Sequence, residues 1–365
     1  MKISLLMAHG IRNLAPVQLE PRERFNVFVG QNGQGKTNLL EAIYVVATLR
    51  SFRTAKLSDL VAFGGERAKL GARVVKDELV RLYEVEFAAG SRKVLLDGKA
   101  VRPLARYFGG FNVVVFTPED LALPRASPAD RRRFVDRGVF NLRPDYLATA
   151  QDYERVLKTR NAVLRQLGDG AIDRRTAEDL LAVYDRQIAE VGARVIASRR
   201  GFLDVVAGEL STAYSAITRT GLVATARYLS RAPATTADDL VAQLVASRRK
   251  DLATMATQVG PHRDDVLFEL DGREAGTYAS QGQLRAIMLA WKTAELQVLG
   301  RAHGDPPILL LDDVSSELDP QRNEFLFEHL ATLAGQCFIT TTHPGHVLLR
   351  RDRADYRIAK GEILE

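Results

Sequence analysis

The chain has 365 residues, 46% of them hydrophobic and 26% charged, a composition that can bury a sizeable core and excludes disordered and fibrous classes. Its one cysteine, Cys337, lies in the apolar run Cys337-Phe338-Ile339, which excludes an intramolecular disulfide and a thiolate zinc cluster and suits a reducing compartment. A net charge of +6 permits an acidic partner without requiring one.

The first segment alternates: Lys2 to Leu5 and Ala15 to Leu19 read as short strands around a Gly10-Ile11-Arg12-Asn13 turn, leading to a strand over Phe25 to Val29. His9, Arg12 and Asn13 arrive too early for a secretory apolar region, and no later run approaches membrane-spanning length. A soluble, cytoplasmic protein is therefore expected. After Val29 comes Gly30-Gln31-Asn32-Gly33-Gln34-Gly35-Lys36-Thr37, which matches G-x-x-x-x-G-K-[ST] at every position and opens an amphipathic run from Leu39 to Leu49. Strand, glycine-rich loop and helix in that order make a phosphate cradle: loop N–H groups turn inward, Lys36 adds a point charge, and Thr37 offers a hydroxyl to magnesium.

Strands are expected over Val80 to Phe87 and Lys93 to Leu96, flanking the turn Ala89-Gly90-Ser91-Arg92, and again over Asn112 to Phe116. From Leu147 to Ile217 the apolar residues recur at three and four, broken by Gly168-Asp169-Gly170. This pattern predicts two long helices folded back as an antiparallel hairpin. Ala232 to Thr236 is the most loop-like interior stretch, and strands return beyond Leu252. The expected organisation is a head split between 1–116 and 252–365, with an inserted helical lobe at 117–251.

Ile308-Leu309-Leu310-Leu311-Asp312-Asp313 reads as a buried strand ending in two carboxylates. Asp312 is placed to hold magnesium, and Asp313 to orient or deprotonate the attacking water. Ser280-Gln281-Gly282-Gln283 precedes a helix over Leu284 to Leu299, and it resembles the signature turn of ABC-type ATPases, which presents helix-end dipoles to nucleotide held by the opposite subunit. Ser316-Glu317-Leu318-Asp319 follows the carboxylates, and Thr340-Thr341-Thr342 ends the next strand and brings His343 toward the γ-phosphate. Of six histidines His343 alone has such a context, with His262 next. Basic clusters at Arg131-Arg132-Arg133, Arg199-Arg200, Arg248-Arg249-Lys250 and Arg350-Arg351 are candidates for contacts to nucleic-acid phosphates.

Taken with Ser51-Phe52-Arg53-Thr54, Pro118-Glu119-Asp120-Leu121 and Gly260-Pro261-His262-Arg263-Asp264-Asp265, these motifs give a chain that resembles, over nearly its full length, the RecF family of bacterial recombination mediators, relatives of SMC-type ATPases. The resemblance implies an α/β fold: an ABC/SMC-type P-loop ATPase head with a mixed β-sheet plus an inserted α-helical arm. It implies nucleotide contacts from Arg12, Asn13, Gly30, Asn32, Gly33, Gln34, Gly35, Lys36, Thr37, Asn38, Ser280, Gly282 and Gln283, with ATP and Mg2+ as cofactors. It further implies an ATP-dependent homodimer with slow, DNA-stimulated hydrolysis, and double-stranded DNA and single-strand/duplex junctions as substrates. RecR and RecO would be partners in loading the RecA recombinase. The interval from Lys36 to Ser280 is too short for the long coiled coils of the chromosome-organising relatives. Alternatives are the ATP-binding subunit of a membrane transporter, against which the helical arm and the Gly260 to Asp265 string speak, and a structural SMC-like tether that uses ATP only for assembly.

Overall fold

A computed structural model describes residues 1–230 and 236–364; residues 232–235 of the expected loop fall outside them. In chain order the elements begin β1 (Lys2–His9), β2 (Val17–Leu19), β3 (Phe25–Val29), α1 (Lys36–Thr48), β4 (Arg67–Lys76), β5 (Leu79–Ala88), β6 (Ser91–Leu96), β7 (Lys99–Ala100), β8 (Val113–Phe116) and α2 (Pro118–Leu121). They continue with α3 (Pro128–Leu142), α4 (Tyr146–Gly168), α5 (Arg174–Thr218), β9 (Ala224–Leu229), α6 (Ala237–Thr254), β10 (Asp265–Leu270), β11 (Arg273–Glu274) and α7 (Ala275–Tyr278). The chain closes with α8 (Gln281–His303), β12 (Ile308–Asp312), α9 (Pro320–Leu333), β13 (Cys337–Thr341), β14 (Arg353–Ala359) and β15 (Glu362–Leu364). Two compact units result: 1–122 with 212–220 and 281–365, and 123–211 with 221–280.

The first unit contains two six-stranded sheets. One, ordered β15-β14-β3-β13-β12-β8, is parallel except for the β14–β15 hairpin. Its central strands Ile308 to Asp312 and Cys337 to Thr341 are uninterrupted buried runs, and so is the edge strand Val113 to Phe116, as strands covered on both faces must be. The other, β2-β1-β4-β5-β6-β7, is antiparallel, with Leu6 opposite Leu19 and Leu70 opposite Val85. Helix α1 lies between them, and its Leu39, Leu40, Ile43 and Val46 share one core with Leu6, Leu70 and Val85 of the antiparallel sheet and Val113, Leu310 and Phe338 of the parallel one. Each such fully buried aliphatic contributes roughly 1.5–3 kcal/mol over its exposed state. Burial on nearly every face anchors α1, and with it the loop that opens it.

The second unit is not purely helical: β9, β10 and β11 form a three-stranded antiparallel sheet beside α3, α4, α5 and α6. The expected boundary at 251/252 therefore falls inside this unit, because β9 on one side of it pairs with β10 on the other, Ala226 opposite Phe268, and the unit runs on to Ser280. α4 and α5 meet next to their short connection through buried Val163, Leu164, Ala177 and Leu181. Further along, wholly buried Arg160 donates to Asp185 of α5 at 2.7 Å and is ion-paired with Asp251 of α6 at 2.8 Å. Breaking one partner of such a buried pair costs about 3–5 kcal/mol, so these ions fix the helix register.

The Gly260 to Asp265 string is the hub of this unit. The carbonyl of Pro261 accepts from Arg199, His262 bonds the Tyr153 hydroxyl through Nδ1 and the Thr257 carbonyl through Nε2, and Asp264 accepts from Tyr228 and Ser230. Burial pushes the His262 pKa down to about 4, so the ring is neutral at pH 7 and serves as a fixed hydrogen-bonding strut.

Candidate nucleotide site

β3 ends at Val29, and the loop from Gly30 to Gly35 turns directly into α1. Three glycines are required here, Gly33 by its φ of +79° and two by close contact. A Cβ on Gly30 would stand 2.4 Å from the Ile358 carbonyl oxygen, and Gly35, at φ +107°, would drive one to 2.9 Å from Leu14 Cδ2. The loop is pinned from outside as well: Asn13 donates to the Gly33 carbonyl at 2.8 Å, Asn38 donates to Asn13 at 2.6 Å, and the Gln34 side chain accepts from the Lys360 N–H at 2.6 Å. Lys36 is buried, and its ammonium donates to the carbonyls of Gly30 and Gln31 at 2.5 and 3.0 Å. Burial lowers its pKa, while the charges of Asp313 and Asp312 act in the opposite direction.

Parallel pairing of β12 with β13, Asp312 opposite Thr340, delivers the carboxylates to the same loop. Asp312 Oδ1 accepts from Thr37 Oγ1 at 2.9 Å and from Thr340 Oγ1 at 2.7 Å. Burial raises its pKa, against the lowering effect of those two hydroxyls. Asp313 sits in the left-handed region at φ +49°, with its N–H held by the Thr340 carbonyl and hydroxyl. Its Oδ1 is buried and has no hydrogen-bond partner, an arrangement that costs free energy until a donor, a water or a cation arrives.

These residues fit a nucleoside triphosphate with magnesium. The cradle has no room for side chains at Gly30 and Gly35, the hydroxyl of Thr37 and the carboxylate of Asp312 are hard oxygen donors in contact, and Asp313 offers an orphaned acceptor. Among the described residues no group of three or more His, Cys, Asp and Glu could hold a metal unaided. Two protein donors therefore suit a cation whose remaining ligands are phosphate oxygens and water.

Other expected site residues fall in different places. Arg12, at φ +47°, is held by Glu41, Nε to Oε2 at 2.7 Å. His343 follows β13, is exposed, and folds its Nδ1 onto the Gly345 N–H of its own turn at 3.1 Å. Ser280 is exposed immediately before α8, while a Cβ on Gly282 would lie 3.3 Å from the Arg322 guanidinium. Two further participants are Thr340 and Glu41. In sequence Thr340 is merely a strand end, whereas Glu41, a lone acid inside the apolar run Leu39 to Leu49, is itself a signal that a cation must be near.

The basic clusters divide sharply. Arg131 is buried against Asp265, 2.6 Å away, and donates to the Ala126 carbonyl. Arg199 is buried in a two-point pair with Asp136, Arg248 is paired with Asp185, and Arg132 donates to the Asp264 carbonyl. Buried Arg131 and Arg199 are internal ties of the second unit, their charges met by Asp265 and Asp136, whereas Arg132 and Arg248 remain partly exposed. Arg200 stands over the Tyr228 ring, 5.5 Å from its centroid, and Arg133 pairs with Asp130 at an exposed position. Arg249, Lys250, Arg350 and Arg351 are exposed.

The family model "RecF/RecN/SMC N terminal domain" matches residues 2–360. An SMC head domain solved with the C-winged helix domain of ScpA superposes with a TM-score of 0.55 at 13% identity, over 99% of this chain and 96% of that one. Fold and loop geometry together thus define an ABC/SMC-type P-loop ATPase head. Closer likenesses narrow the class. The DNA replication and repair protein RecF of Myxococcus xanthus is 42% identical over 94% of this chain and 91% of its own length, and that of Geobacter sp. strain M21 is 39% identical over the whole of both. A solved structure described as the recombination mediator protein RecF with ATP in the RecFOR pathway superposes with a TM-score of 0.88 at 31% identity, over 99% of this chain and 96% of that one. The chain belongs to the RecF family of DNA replication and repair proteins.

Proposed function

We propose that the chain is an ATP-dependent DNA-binding protein of recombinational repair and replication, and that ATP closes two copies on duplex DNA near single-strand gaps. The observation that carries this reading is the meeting of Lys36, Thr37, Asp312 and Asp313 at one loop end, in a chain so similar to a RecF solved with ATP. Lys36 exchanges the Gly30 and Gln31 carbonyls for phosphate oxygens, Thr37 and Asp312 hold Mg2+, and Asp313 orients the attacking water. Magnesium would offset the charge that develops on the phosphates as the terminal bond breaks. The exposed Ser280 turn at the head of the 23-residue helix α8 suits a neighbour's γ-phosphate, because a helix N-terminus carries partial positive charge. Each copy then completes the other's site in a two-fold pair, and Arg12, Asn13, Asn32 and Gln34 contact the nucleotide.

Such a protein is a switch: closure precedes slow, DNA-stimulated hydrolysis. Its partners would be of the RecR and RecO kind and its place the cytoplasm, a reading supported by the related RecF structure, whose description names the RecFOR pathway. Among the described residues no helix is long and apolar enough to cross a membrane. DNA would be gripped through its backbone by exposed cations, with Arg249 and Lys250 as the first candidates. Fluorescence anisotropy with labelled duplex tests this: affinity should rise with ATP and fall steeply with salt. The double substitution Arg249→Ala, Lys250→Ala should lower the magnitude of the slope of log K against log salt by about two. Affinity that ignores both ATP and salt would contradict the reading.

A further inference from the structure

The reciprocal site depends on Ser280, yet the element that delivers this residue is slight. α7 (Ala275–Tyr278) is a single turn, too short to hold its own shape in water, and its later carbonyls need partners from outside it. Support comes from the one-turn segment Leu123–Arg125. A Cβ on Gly276 would stand 2.4 Å from the Pro124 carbonyl oxygen, so the two backbones are in contact. Arg125 then donates from Nε to the Gly276 carbonyl at 3.0 Å and from Nη2 to the Ala279 carbonyl at 2.9 Å. One guanidinium thus spans the turn. The supporting segment is fixed in its own right, because Arg131, paired with Asp265, donates to the Ala126 carbonyl at 2.6 Å.

We propose that Arg125 is a positioning residue of the ATPase reaction: by gripping both carbonyls it aims the Ser280 turn at the nucleotide held by a second copy. The Ala279 carbonyl belongs to the peptide that joins Ala279 to Ser280. That peptide is trans, and in a planar trans peptide the C=O and N–H point opposite ways. Holding the oxygen therefore fixes the direction of the Ser280 N–H, and a cation on the oxygen polarises the peptide and strengthens that N–H as a donor. Among the described residues both polar contacts of Arg125 are to these carbonyls and none is to a carboxylate. A tie that served the fold alone would need neither the charge nor the fork, and at an exposed position it would add little stability. Arg125 is exposed, as are Thr277, Tyr278 and Ser280, whereas Ala279 between them is buried. The grip sets which face of the turn looks outward.

This inference rests on the reciprocal site proposed above, and mixing separates the two. Hydrolysis at saturating ATP, binding of a fluorescent ATP analogue and a thermal melt are measured for Arg125→Ala and Arg125→Lys, alone and mixed in equal amounts with Lys36→Ala or Ser280→Arg. Both variants should bind the analogue as the unaltered chain does, because the cradle around Lys36 is untouched. Arg125→Ala should lower kcat at least about tenfold, since displacing a group at a reacting centre by about 1 Å can cost about 100-fold. Arg125→Lys should lose only about threefold, because an ammonium keeps the charge but lacks the fork that spans two carbonyls. Activity should return when Arg125→Ala is mixed with Lys36→Ala, whose Ser280 turn is sound, and not when it is mixed with Ser280→Arg. Unchanged kcat, activity lost together with ATP binding, lost activity that Lys36→Ala does not restore, or failure of both variants to fold would each overturn the proposal. If instead Lys36→Ala and Ser280→Arg, mixed with each other, recover nothing, it is the reciprocal reading that falls.

Discussion

Replacing Asp313 with Asn is expected to abolish turnover while sparing nucleotide binding. Asp313 sits at φ +49°, a conformation that Asn tolerates better than most residues. Its backbone N–H keeps the Thr340 contacts whatever the side chain. Asn also keeps an oxygen where Asp313 Oδ1 now lies buried without a partner. What disappears is a group able to take a proton from water, a loss that typically costs about 10²–10⁴-fold in rate. Steady-state phosphate release should fall by that factor, and size-exclusion chromatography should show an ATP-loaded dimer that persists instead of decaying. A variant that hydrolyses within about threefold of the unaltered chain would remove Asp313 from this role.

Lys36→Ala should act one step earlier. The ammonium lies buried at the mouth of the loop, where burial lowers its pKa and the nearby carboxylates offset that shift. Hydrogen bonds to a charged group are worth about 1.5–3 kcal/mol, or about 10–150-fold in Kd. Since α1 is anchored by the core on both sides, the fold should survive, with the melting temperature nearly unchanged. Titration calorimetry should find ATP affinity reduced by that factor, and light scattering should find no ATP-dependent association. Unchanged affinity would mean that the carbonyl contacts of Lys36 to Gly30 and Gln31 persist in the bound state.

The parts of this molecule that were legible in sequence are those written in contiguous residues. The loop from Gly30 to Thr37, the run Ile308 to Asp313, and the helix break at Gly168 to Gly170 each carry their signal within a dozen positions. β4 is hard to read although Arg67 to Val75 roughly alternates, because its buried face, Ala68, Leu70, Ala72 and Val74, is half small residues; on the other face Gly71 pairs with Met7, whose Cε would lie 2.9 Å from a Cβ there. The sheet of the second unit was illegible for a different reason. β9 and β10 are separated by α6, and although β10 alternates in burial, nothing in either segment names a pairing partner that far along the chain. The arginine runs misled in the same way: nothing adjacent to Arg131 or Arg199 announces Asp265 or Asp136, 134 and 63 positions away. Charge patterning identifies cations but not their partners, and burial decides which of them stay available to DNA.

Reciprocity is the central claim: the Ser280 turn of one copy completes the site built on Lys36 of the other. Neither Lys36→Ala nor Ser280→Arg should hydrolyse ATP alone, because each pair of identical copies lacks the same half of both sites. Mixed one to one, they can form pairs in which an intact Lys36 faces an intact Ser280 at one of the two sites, so activity should return, to no more than about half of the unaltered specific activity. A mixture as inactive as its components, or Ser280→Arg fully active by itself, would contradict it.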